Sequence, residues 1–431
     1  MKRETKVTAG NLGRYMLAFC KWVLAAVALG AVCGGGGAVF HNAIDAVTEL
    51  RMEQGWILWL LPGAGALTWL LYKLCRVGFS VGTNEIFKAA GGEGHVPFLL
   101  APLIFMGTLL SHLCGASVGR EGAALQLGGS MGCNFGKALR FDREDVQVLT
   151  MCGMSACFSA LFGTPLTAAV FVLEVLRVGS MRYNALLPCV LSSYTAAFLA
   201  KFMGTKPMAF TIGEAPAFSP VTALQAAGLA ALCGGLGILF CTCVHMAGHL
   251  LEKWMPNPLV RVTAAGAVMA AAVTLFGLYD YAGAGGHMIN AAMEGRVPGF
   301  AFLLKLLLTA LCVGAGFKGG EIVPTMFIGS TFGCVAGPFL GLDPGFSAAL
   351  GLTALFCSVV NCPLASVFLA VELFSPGDIA PFAVAVAVAY VLSGYFGLYG
   401  SQIILFSKVR QEDIDMNARY RGSGDPKRRN V

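Results

Sequence analysis

The amino-acid sequence predicts an all-α protein that crosses a membrane many times and consists of two repeated halves in inverted orientation. Three observations support this prediction. Hydrophobic residues make up 57% of the 431 residues and charged residues only 12%, against about 25% charged residues in soluble domains. Long apolar segments follow one another with few polar residues between them. A similar residue pattern also recurs in the two halves of the chain.

Many of the apolar segments are shorter than the roughly 20 residues that a helix needs to span the hydrocarbon layer. Several end at Gly or Pro, which indicates re-entrant or broken helices packed among other helices. The first segment is too long for a signal peptide and is expected to remain as a membrane helix. The clearer segments are 15–40, 56–74, 96–116, 146–162, 165–178, 183–202, 221–247, 259–277, 300–317, 323–342, 347–360, 363–374 and 379–398.

The segments indicate a single membrane domain over residues 15–405, with halves at about 15–205 and 215–405. Residues 1–14 and 406–431 are expected to be a cytoplasmic N-terminus and a cytoplasmic tail without a regulatory domain. Both ends carry much of the basic excess, which predicts cytoplasmic termini and an even number of crossings. These basic residues are Lys2, Arg3, Lys6, Arg419, Arg421, Lys427, Arg428 and Arg429.

The composition excludes several classes of function. Short basic clusters beside membrane segments are topology signals, so no nucleic-acid partner is expected. The fifteen cysteines are scattered through apolar runs and form no disulfide framework. No nucleotide-binding loop or nucleophile elbow is present, and no cofactor or metal is expected. His245, His249 and Glu252 have helical metal-ligand spacing, but we favour a packed or interfacial role for them.

The internal repeat relates residues 155–174 to residues 353–372. Ala, Phe, Pro, Leu and Glu recur in register in these two segments, which end at Glu174 and Glu372. We expect structural roles for these two glutamates, such as pairing of Glu174 with Arg177. Repeated halves of a transporter usually meet around the substrate near the middle of the bilayer.

Glu121 lies in a glycine-flanked turn, Gly119-Arg120-Glu121-Gly122, where a new apolar helix is expected to begin. A helix N-terminus has unsatisfied N–H groups and partial positive charge, so it binds anions without a buried cation. A carboxylate at this depth is costly and is therefore a functional candidate. The alternative is that Glu121 only caps the helix or pairs with Arg120.

Glu321 occupies the matching position in the second half, 200 residues after Glu121, within Gly319-Gly320-Glu321-Ile322. Pro324 follows at an early helical position, where its missing N–H costs nothing. Two helix N-termini from two halves, directed at one place, would form an anion site from the backbone alone.

The Gly-Arg-Glu-Gly motif followed by Gln126 resembles the signature of the CLC family of chloride channels and proton-coupled anion exchangers. The stretches 162–175 and 319–324 resemble the family as well, as does Tyr399. The resemblance implies a homodimer with one pathway per subunit and about eighteen helices. It also implies that Glu121 is the gating glutamate, that the N–H groups of Glu321 and Ile322 face the anion, and that the Tyr399 hydroxyl lies near it from the cytoplasmic side.

Departures from the chloride-selective members point to the fluoride-exporting branch. The Gly-Ser-Gly-Ile-Pro loop of those members is absent from residues 80–87, and Val175 replaces a glutamate used on the inner proton route of many exchangers. Glu321 stands where chloride members have an apolar residue, as in the fluoride branch. Val323 replaces a threonine of that branch.

Thr83, Asn84 and Phe87 are the candidates for anion contacts in the first-half loop. Fluoride holds its water strongly, so a selective site must offer strong donors. Thr83 and Asn84 have polar side chains, and the ring edge of Phe87 carries partial positive charge. The alternative is an ordinary helix-entry turn with Asn84 as the cap.

The sequence therefore favours a fluoride/proton antiporter in a bacterial inner membrane. Deprotonated Glu121 would occupy the site as a tethered anion, and protonation would release it and admit a free anion. Fluoride and protons are the expected partners, with chloride possible in the second hypothesis, a chloride channel or chloride/proton exchanger of the same fold. A third hypothesis, a membrane enzyme with Glu121 and Glu321 as an acid–base pair, would need more polar groups in the apolar segments.

Overall fold

The structure is a computed structural model that describes residues 9–94, 96–212, 216–410 and 413–417. Its described part contains sixteen α-helices, four short 3-10 helices and three short strands. The first-half helices are α1 (Ala9–Glu53), α2 (Leu61–Leu74), α3 (Thr83–Ala90), α4 (Leu100–Leu113), α5 (Glu121–Ala138), α6 (Arg143–Phe162), α7 (Pro165–Val175) and α8 (Leu186–Phe202). The second-half helices are α9 (Pro220–Trp254), α10 (Pro258–Phe276), α11 (Gly286–Met293), α12 (Ala301–Ala315), α13 (Ile322–Ala336), α14 (Pro344–Val360), α15 (Pro363–Phe374) and α16 (Ala380–Leu392).

The two halves have the same order of helices, so that α1–α8 correspond to α9–α16. Each half starts with its longest helix, and each has a very short helix in third position. The 3-10 helices are Gly55–Leu60, Tyr183–Ala185, Tyr279–Tyr281 and Gly337–Leu340. The all-helical repeat predicted from the sequence is therefore confirmed, and the expected helix number of about eighteen is close to the observed one.

Helices α7 and α15 show that the repeat is inverted. Glu372, near the end of α15, accepts hydrogen bonds from Leu166 N (3.0 Å) and Thr167 N (2.8 Å) at the start of α7. Glu174, near the end of α7, accepts from Leu364 N (3.1 Å) and from the next N–H at the start of α15. The two helices are thus antiparallel, and the two-fold axis that exchanges them is perpendicular to both, as expected for halves in inverted orientation.

These contacts give Glu174 and Glu372 the structural roles expected from the sequence. Each carboxylate satisfies N–H groups that have no intrahelical partner, and its negative charge is favourable at a helix N-terminus. The partner suggested for Glu174 differs from the observed one. Its carboxylate binds the start of α15, and no ion pair with Arg177 is found among the described residues.

Glycines bring two helices of each half into backbone contact. A Cβ on Gly128 of α5 would lie 2.0 Å from the carbonyl oxygen of Gly153 in α6. In the second half, a Cβ on Gly329 of α13 would lie 2.6 Å from the carbonyl oxygen of Gly351 in α14. Small residues let membrane helices approach until their backbones touch, and here they bring the start of α5 and the start of α13 to the centre of the molecule.

Seven helical segments of the described chain are long and apolar enough to cross a membrane, and six further apolar helices have only 10–17 residues. Partly crossing helices were predicted from the short apolar segments. The first predicted segment, 15–40, is the middle of a much longer helix, α1. Helix α1 continues through polar residues such as His41 and Asp45, so apolar content alone underestimated its length.

A small sheet lies beside the helical repeat. Strand β1 (Arg177–Val178) is parallel to β2 (Ile403–Phe406), which is antiparallel to β3 (Asp413–Asn417). The sheet therefore places β2 beside the end of α7 and the C-terminal strand β3 at the far edge. The basic residues on which the cytoplasmic assignment of both termini depends, from Lys2 to Lys6 and from Arg419 to Arg429, lie outside the described residues.

Candidate anion site at the crossing of two helix N-termini

The two glycine loops of the repeat cross at the centre of the molecule. Gly119 N donates to Gly320 O (2.6 Å) and Gly320 N donates to Gly119 O (2.7 Å), which forms an isolated antiparallel bridge. A Cβ on Gly320 would lie 2.3 Å from the backbone nitrogen of Gly122. The crossing therefore needs glycine, and it places the N-termini of α5 and α13 side by side.

Glu121 is the first residue of α5 and is completely buried. Its Oε2 accepts a hydrogen bond from Arg120 N (3.0 Å), and the carboxylate also faces the backbone N–H of Val323 in the other half. Its Oε1 lies 3.5 Å from the Arg120 Nε and has no hydrogen-bond partner within the described structure. The carboxylate thus occupies the space between two helix N-termini, where an anion is most favourable. The same carboxylate also contacts the backbone N–H and the side chain of Arg120, as the alternative role of Glu121 as a helix cap or ion-pair partner predicts.

A chain of charged groups leads from Glu121 towards solvent. The Arg120 guanidinium, whose side chain is 13% exposed, donates to Asp45 Oδ1 (2.7 Å). The other oxygen of Asp45 lies 3.0 Å from Nε2 of the buried His41. The Asp45 side chain is 52% exposed, so this chain connects the buried gate candidate with one surface of the protein.

Glu321 is the N-cap residue of α13, and its carboxylate has a different environment. Its Oε2 is buried without a hydrogen-bond partner in the part of the chain that the structure describes. No Lys, Arg or His nitrogen lies within 4 Å of this carboxylate among the described residues. A Cβ on Gly122 would lie 3.5 Å from this Oε2, so the carboxylate lies against the start of α5. Each glutamate therefore reaches the helix N-terminus of the other half.

Tyr399 and Phe87 complete the cluster. Tyr399 is 2% exposed, and its hydroxyl has no hydrogen-bond partner among the described groups. The phenol interacts electrostatically with both Glu321 and Glu121. Its ring meets the ring of Phe87 edge-on, with 4.9 Å between the centroids. The backbone N–H of Ile322, at the first position of α13, has no intrahelical partner.

Thr83 and Asn84 lie at the start of α3, and their side chains have other partners. Thr83 Oγ1 accepts a hydrogen bond from Gln126 Nε2 (3.1 Å). Asn84 is exposed, and its Oδ1 accepts from Ser401 N (3.1 Å) and Ser401 Oγ (2.8 Å). The N-cap residue of α3 is Gly82, so Asn84 does not cap this helix. The structure thus brings Phe87 into the cluster and places Asn84 outside it.

Gln126 was not predicted as a site residue, although it is part of the motif. Its side chain is 4% exposed, and its Oε1 has no hydrogen-bond partner among the described residues. Gln126 lies little more than one helical turn after Glu121 and links α5 to Thr83. A buried amide five positions after the glutamate was the available signal, but the contact with α3 depends on the tertiary fold.

Two buried lysines were also missed. Lys305 is fully buried and donates to the carbonyl oxygens of Tyr281 (3.1 Å) and Gly283 (2.5 Å). Lys318, three residues before Glu321, donates to the carbonyl oxygen of Phe79 and lies 4.4 Å from the centroid of the Phe79 ring. A lysine inside an apolar segment is itself a functional signal. Here both lysines bind backbone carbonyls, Lys305 at the end of the 3-10 helix Tyr279–Tyr281 and Lys318 in the loop before α3.

The histidines with metal-ligand spacing do not form a cluster of ligands. His245 Nδ1 lies 2.7 Å from the carbonyl oxygen of Cys241, and both His249 and Glu252 are exposed on α9. Within the described residues, no group of three or more His, Cys, Asp or Glu side chains is arranged to hold a metal ion.

Comparisons with known proteins identify the family of this chain. The sequence model of the family described as "Voltage gated chloride channel" matches residues 63–394. The "Chloride/fluoride channel protein" of Pseudomonas syringae pv. tomato is 36% identical over 398 residues, which cover 90% of this chain and 87% of that protein. The "H(+)/Cl(-) exchange transporter ClcA" of Vibrio cholerae is 26% identical over 377 residues, or 80% of each chain.

Solved structures show the same fold. The crystal structure of a CLC-type fluoride/proton antiporter has a TM-score of 0.87 and 28% identity, and the match covers 93% of this chain and all of that chain. A slow cyanobacterial Cl⁻/H⁺ antiporter has a TM-score of 0.76 at 20% identity, covers 86% of this chain and 94% of that chain, and shows the fold alone. The family model and the relative that is 36% identical lead to one conclusion: the chain belongs to the voltage-gated chloride channel family, the CLC family of membrane ion transporters and channels.

Proposed function

We propose that this protein is an antiporter that exports fluoride from the cell in exchange for protons. The observation that carries the proposal is the position of Glu121. Its buried carboxylate is the first residue of α5 and also faces the Val323 N–H at the start of α13. A negative group tethered between two helix N-termini marks a place where a free anion would bind if the carboxylate moved away.

Proton coupling follows from competition for this place. When Glu121 is ionised, it excludes a free anion by occupying the site itself. Protonation removes its charge, and the side chain is then free to leave the two helix N-termini. The Arg120 and Asp45 contacts lead to the protein surface and give the side chain a direction in which to move. The Glu121 carboxylate thus either occupies the anion site or binds a proton and leaves it, which links the proton flux to the fluoride flux.

The preference for fluoride is supported by the groups around the site. Fluoride loses its hydration only where strong donors replace water, and backbone N–H groups of helix N-termini together with the Tyr399 hydroxyl meet this need. The edge of an aromatic ring such as Phe87 carries partial positive charge and adds to them. Glu321 lies beside the same place and would take protons or order the anion there. Relatives named for chloride/fluoride and for fluoride/proton transport add weight to this assignment.

The proposed arrangement in the cell follows from the same reasoning. We assign residues 15–405 to one membrane domain of a bacterial inner membrane, with both termini in the cytoplasm. We also assign a homodimer with one pathway in each subunit, by likeness to the CLC family. An inward proton gradient would then drive fluoride out of the cytoplasm and protect the cell from fluoride that enters as uncharged HF.

The test is anion efflux from liposomes that contain the purified protein. Fluoride-loaded and chloride-loaded liposomes are compared with ion-selective electrodes while external pH is recorded. We expect fast fluoride efflux accompanied by an increase of external pH, and much slower chloride efflux. Chloride efflux as fast as fluoride efflux would instead indicate a chloride exchanger, the second hypothesis. Fluoride efflux without proton movement would indicate a channel.

A further inference from the structure

A cavity of about 50 Å³ lies beside the small sheet and adjoins the central cluster at Phe87. Phe87 and Ser401 form part of its wall, and both have contacts that lead inward. The Phe87 ring touches Tyr399, and Ser401 donates two hydrogen bonds to Asn84 Oδ1. The cavity is therefore separated from the site residues by single side chains.

Two arginines also line this cavity. Arg177 is exposed in β1, and Arg182 precedes the 3-10 helix Tyr183–Ala185. Arg182 is anchored, because its guanidinium donates to Gln147 Oε1 (2.6 Å). Burial is the main cause that lowers the pKa of Arg182, and the positive charge of Arg177 lowers it further. The two cations therefore lie close enough to repel each other.

Neither arginine of this pair forms an ion pair within the described structure, and Arg182 has only a longer-range attraction to Glu144. No carboxylate oxygen of a described residue lies within 4 Å of either guanidinium, including Glu93, which lines the cavity. Lys88 lines the cavity too, but it already pairs with Glu85 (2.7 Å). Two neighbouring cations around a water-sized space attract a small anion, because low-dielectric walls concentrate their field.

We propose that Arg177 and Arg182 form a second anion-binding site, which captures the small inorganic anion before it passes Phe87 and Tyr399. This inference depends on the proposed function and adds the side from which the anion is taken up. Strand β1 belongs to the sheet that contains the C-terminal strand β3. With the C-terminus in the cytoplasm, the site faces the compartment from which fluoride must be removed.

The arrangement also defines the step that follows capture. The Asn84–Ser401 hydrogen bonds join the start of α3 to the loop after Tyr399. An anion that moves from the cavity to the central cluster has to pass between these two elements. The Phe87–Tyr399 ring contact closes the same boundary. The arginine pair would hold the anion at this boundary until a small movement of α3 lets it through.

The test uses inverted membrane vesicles, because their uniform orientation exposes the cytoplasmic face to the medium. Fluoride uptake is measured at low ionic strength over a range of external fluoride concentrations. The double variant Arg177→Gln/Arg182→Gln is expected to raise the KM for fluoride about tenfold, the low end of electrostatic focusing in charged clefts. Its kcat should change less than twofold. Potassium gluconate should raise the wild-type KM by screening, and should have little effect on the double variant.

Two further variants separate charge from packing. Arg177→Lys/Arg182→Lys retains both charges and should recover most of the lost affinity. Arg140→Gln removes an exposed arginine that does not line the cavity and should leave the KM at the wild-type value. An unchanged KM in the glutamine double variant would overturn the second site while leaving the antiporter proposal intact. Absence of fluoride uptake by the wild-type protein would overturn both.

Discussion

Glu121 and Glu321 occupy corresponding positions at the starts of α5 and α13, yet their charge environments differ. Glu121 lies 3.5 Å from an arginine nitrogen, and that arginine binds the half-exposed Asp45. Glu321 has no cationic nitrogen within 4 Å in the described structure, and one of its oxygens is buried without a partner. The repeat thus reproduces the backbone geometry in both halves and changes the electrostatics.

This difference explains how two similar carboxylates can have separate tasks. Glu121 has a charged route to one surface, so its ionised form is stabilised at the anion site and its protonated form has somewhere to go. Glu321 lies between the starts of both helices and beside Tyr399, without such a route. An uncompensated carboxylate in a buried place is costly unless it binds a proton or a cationic partner. We therefore infer that Glu321 exchanges protons inside the cluster, whereas Glu121 opens and closes it.

We expect the largest effect from Glu121→Gln, which removes the ionisable carboxylate that lies beside Arg120. Glutamine has the shape of the protonated acid but cannot release a proton. We expect proton flux to fall by about 100-fold or more, the range for loss of a positioned proton-transfer group. Any remaining fluoride movement should no longer depend on pH. Simultaneous electrode recordings of fluoride and pH would measure this, and proton flux at the wild-type rate would contradict it.

Glu321→Gln removes the carboxylate that has no cationic nitrogen within 4 Å in the described structure, and it should have a smaller effect. We expect proton and fluoride fluxes to fall about tenfold, because a nearby buried unit charge changes the energy of an anion or proton by more than about 1 kcal/mol. Residual transport should remain coupled, since Glu121 is intact. The ratio of the two fluxes is the measurement. A loss of coupling as complete as in Glu121→Gln would mean that the two glutamates share one task.

Glu174→Gln and Glu372→Gln test the part of the repeat that is symmetrical. Each substitution weakens charge-assisted hydrogen bonds to a helix N-terminus, which contribute roughly 1.5–3 kcal/mol. We expect both variants to lower the midpoint of thermal unfolding in detergent by similar amounts. A double variant tests whether the effects add. A large effect of one substitution beside none of the other would show that the two halves are not equivalent here.

Asp45→Asn removes the counter-charge of Arg120 and tests whether the Asp45–Arg120 ion pair affects gating by Glu121. The uncompensated guanidinium would then hold the ionised form of Glu121 more strongly, so protonation would require more acid. We expect the pH–rate profile to move to lower pH and turnover at neutral pH to fall about threefold, within the range of partly exposed ion pairs. Glu49→Gln, an exposed acid on the same helix without an Arg120 contact, is the control. An unmoved profile would separate Asp45 from gating.

Val323→Thr should have the smallest effect. The group of Val323 that faces Glu121 is its backbone N–H, which any residue other than proline supplies. We expect fluoride turnover and the KM for fluoride to stay within about twofold of the wild-type values, because replacing a methyl group by a hydroxyl leaves the backbone N–H donor in place. Liposome efflux measures both constants. A tenfold gain of turnover would show that the side chain at this position limits transport.

The sequence was a sufficient guide wherever function depends on local patterns. Glycines on both sides of a glutamate, followed by an apolar helix, predicted the starts of α5 and α13, and the repeated Pro–Leu–Glu pattern predicted the pairing of halves. The contacts of Asn84 and Gln126 could not be predicted in this way. Their partners, Ser401 and Thr83, are distant in the sequence, so only the tertiary fold decides which amide reaches the cluster. The reciprocal caps of Glu174 and Glu372 were missed for the same reason.

The most direct test of the central claim is uphill proton movement driven by fluoride. Liposomes with wild-type protein are loaded with fluoride and placed in fluoride-free medium at the same pH, and external pH is followed after the membrane potential is clamped with potassium and valinomycin. We expect the medium to become more alkaline as protons enter and build up a gradient that opposes them, and we expect no such change with Glu121→Gln liposomes. Fluoride efflux by the wild-type protein without any alkalinisation would contradict the antiporter mechanism and the gating role of Glu121.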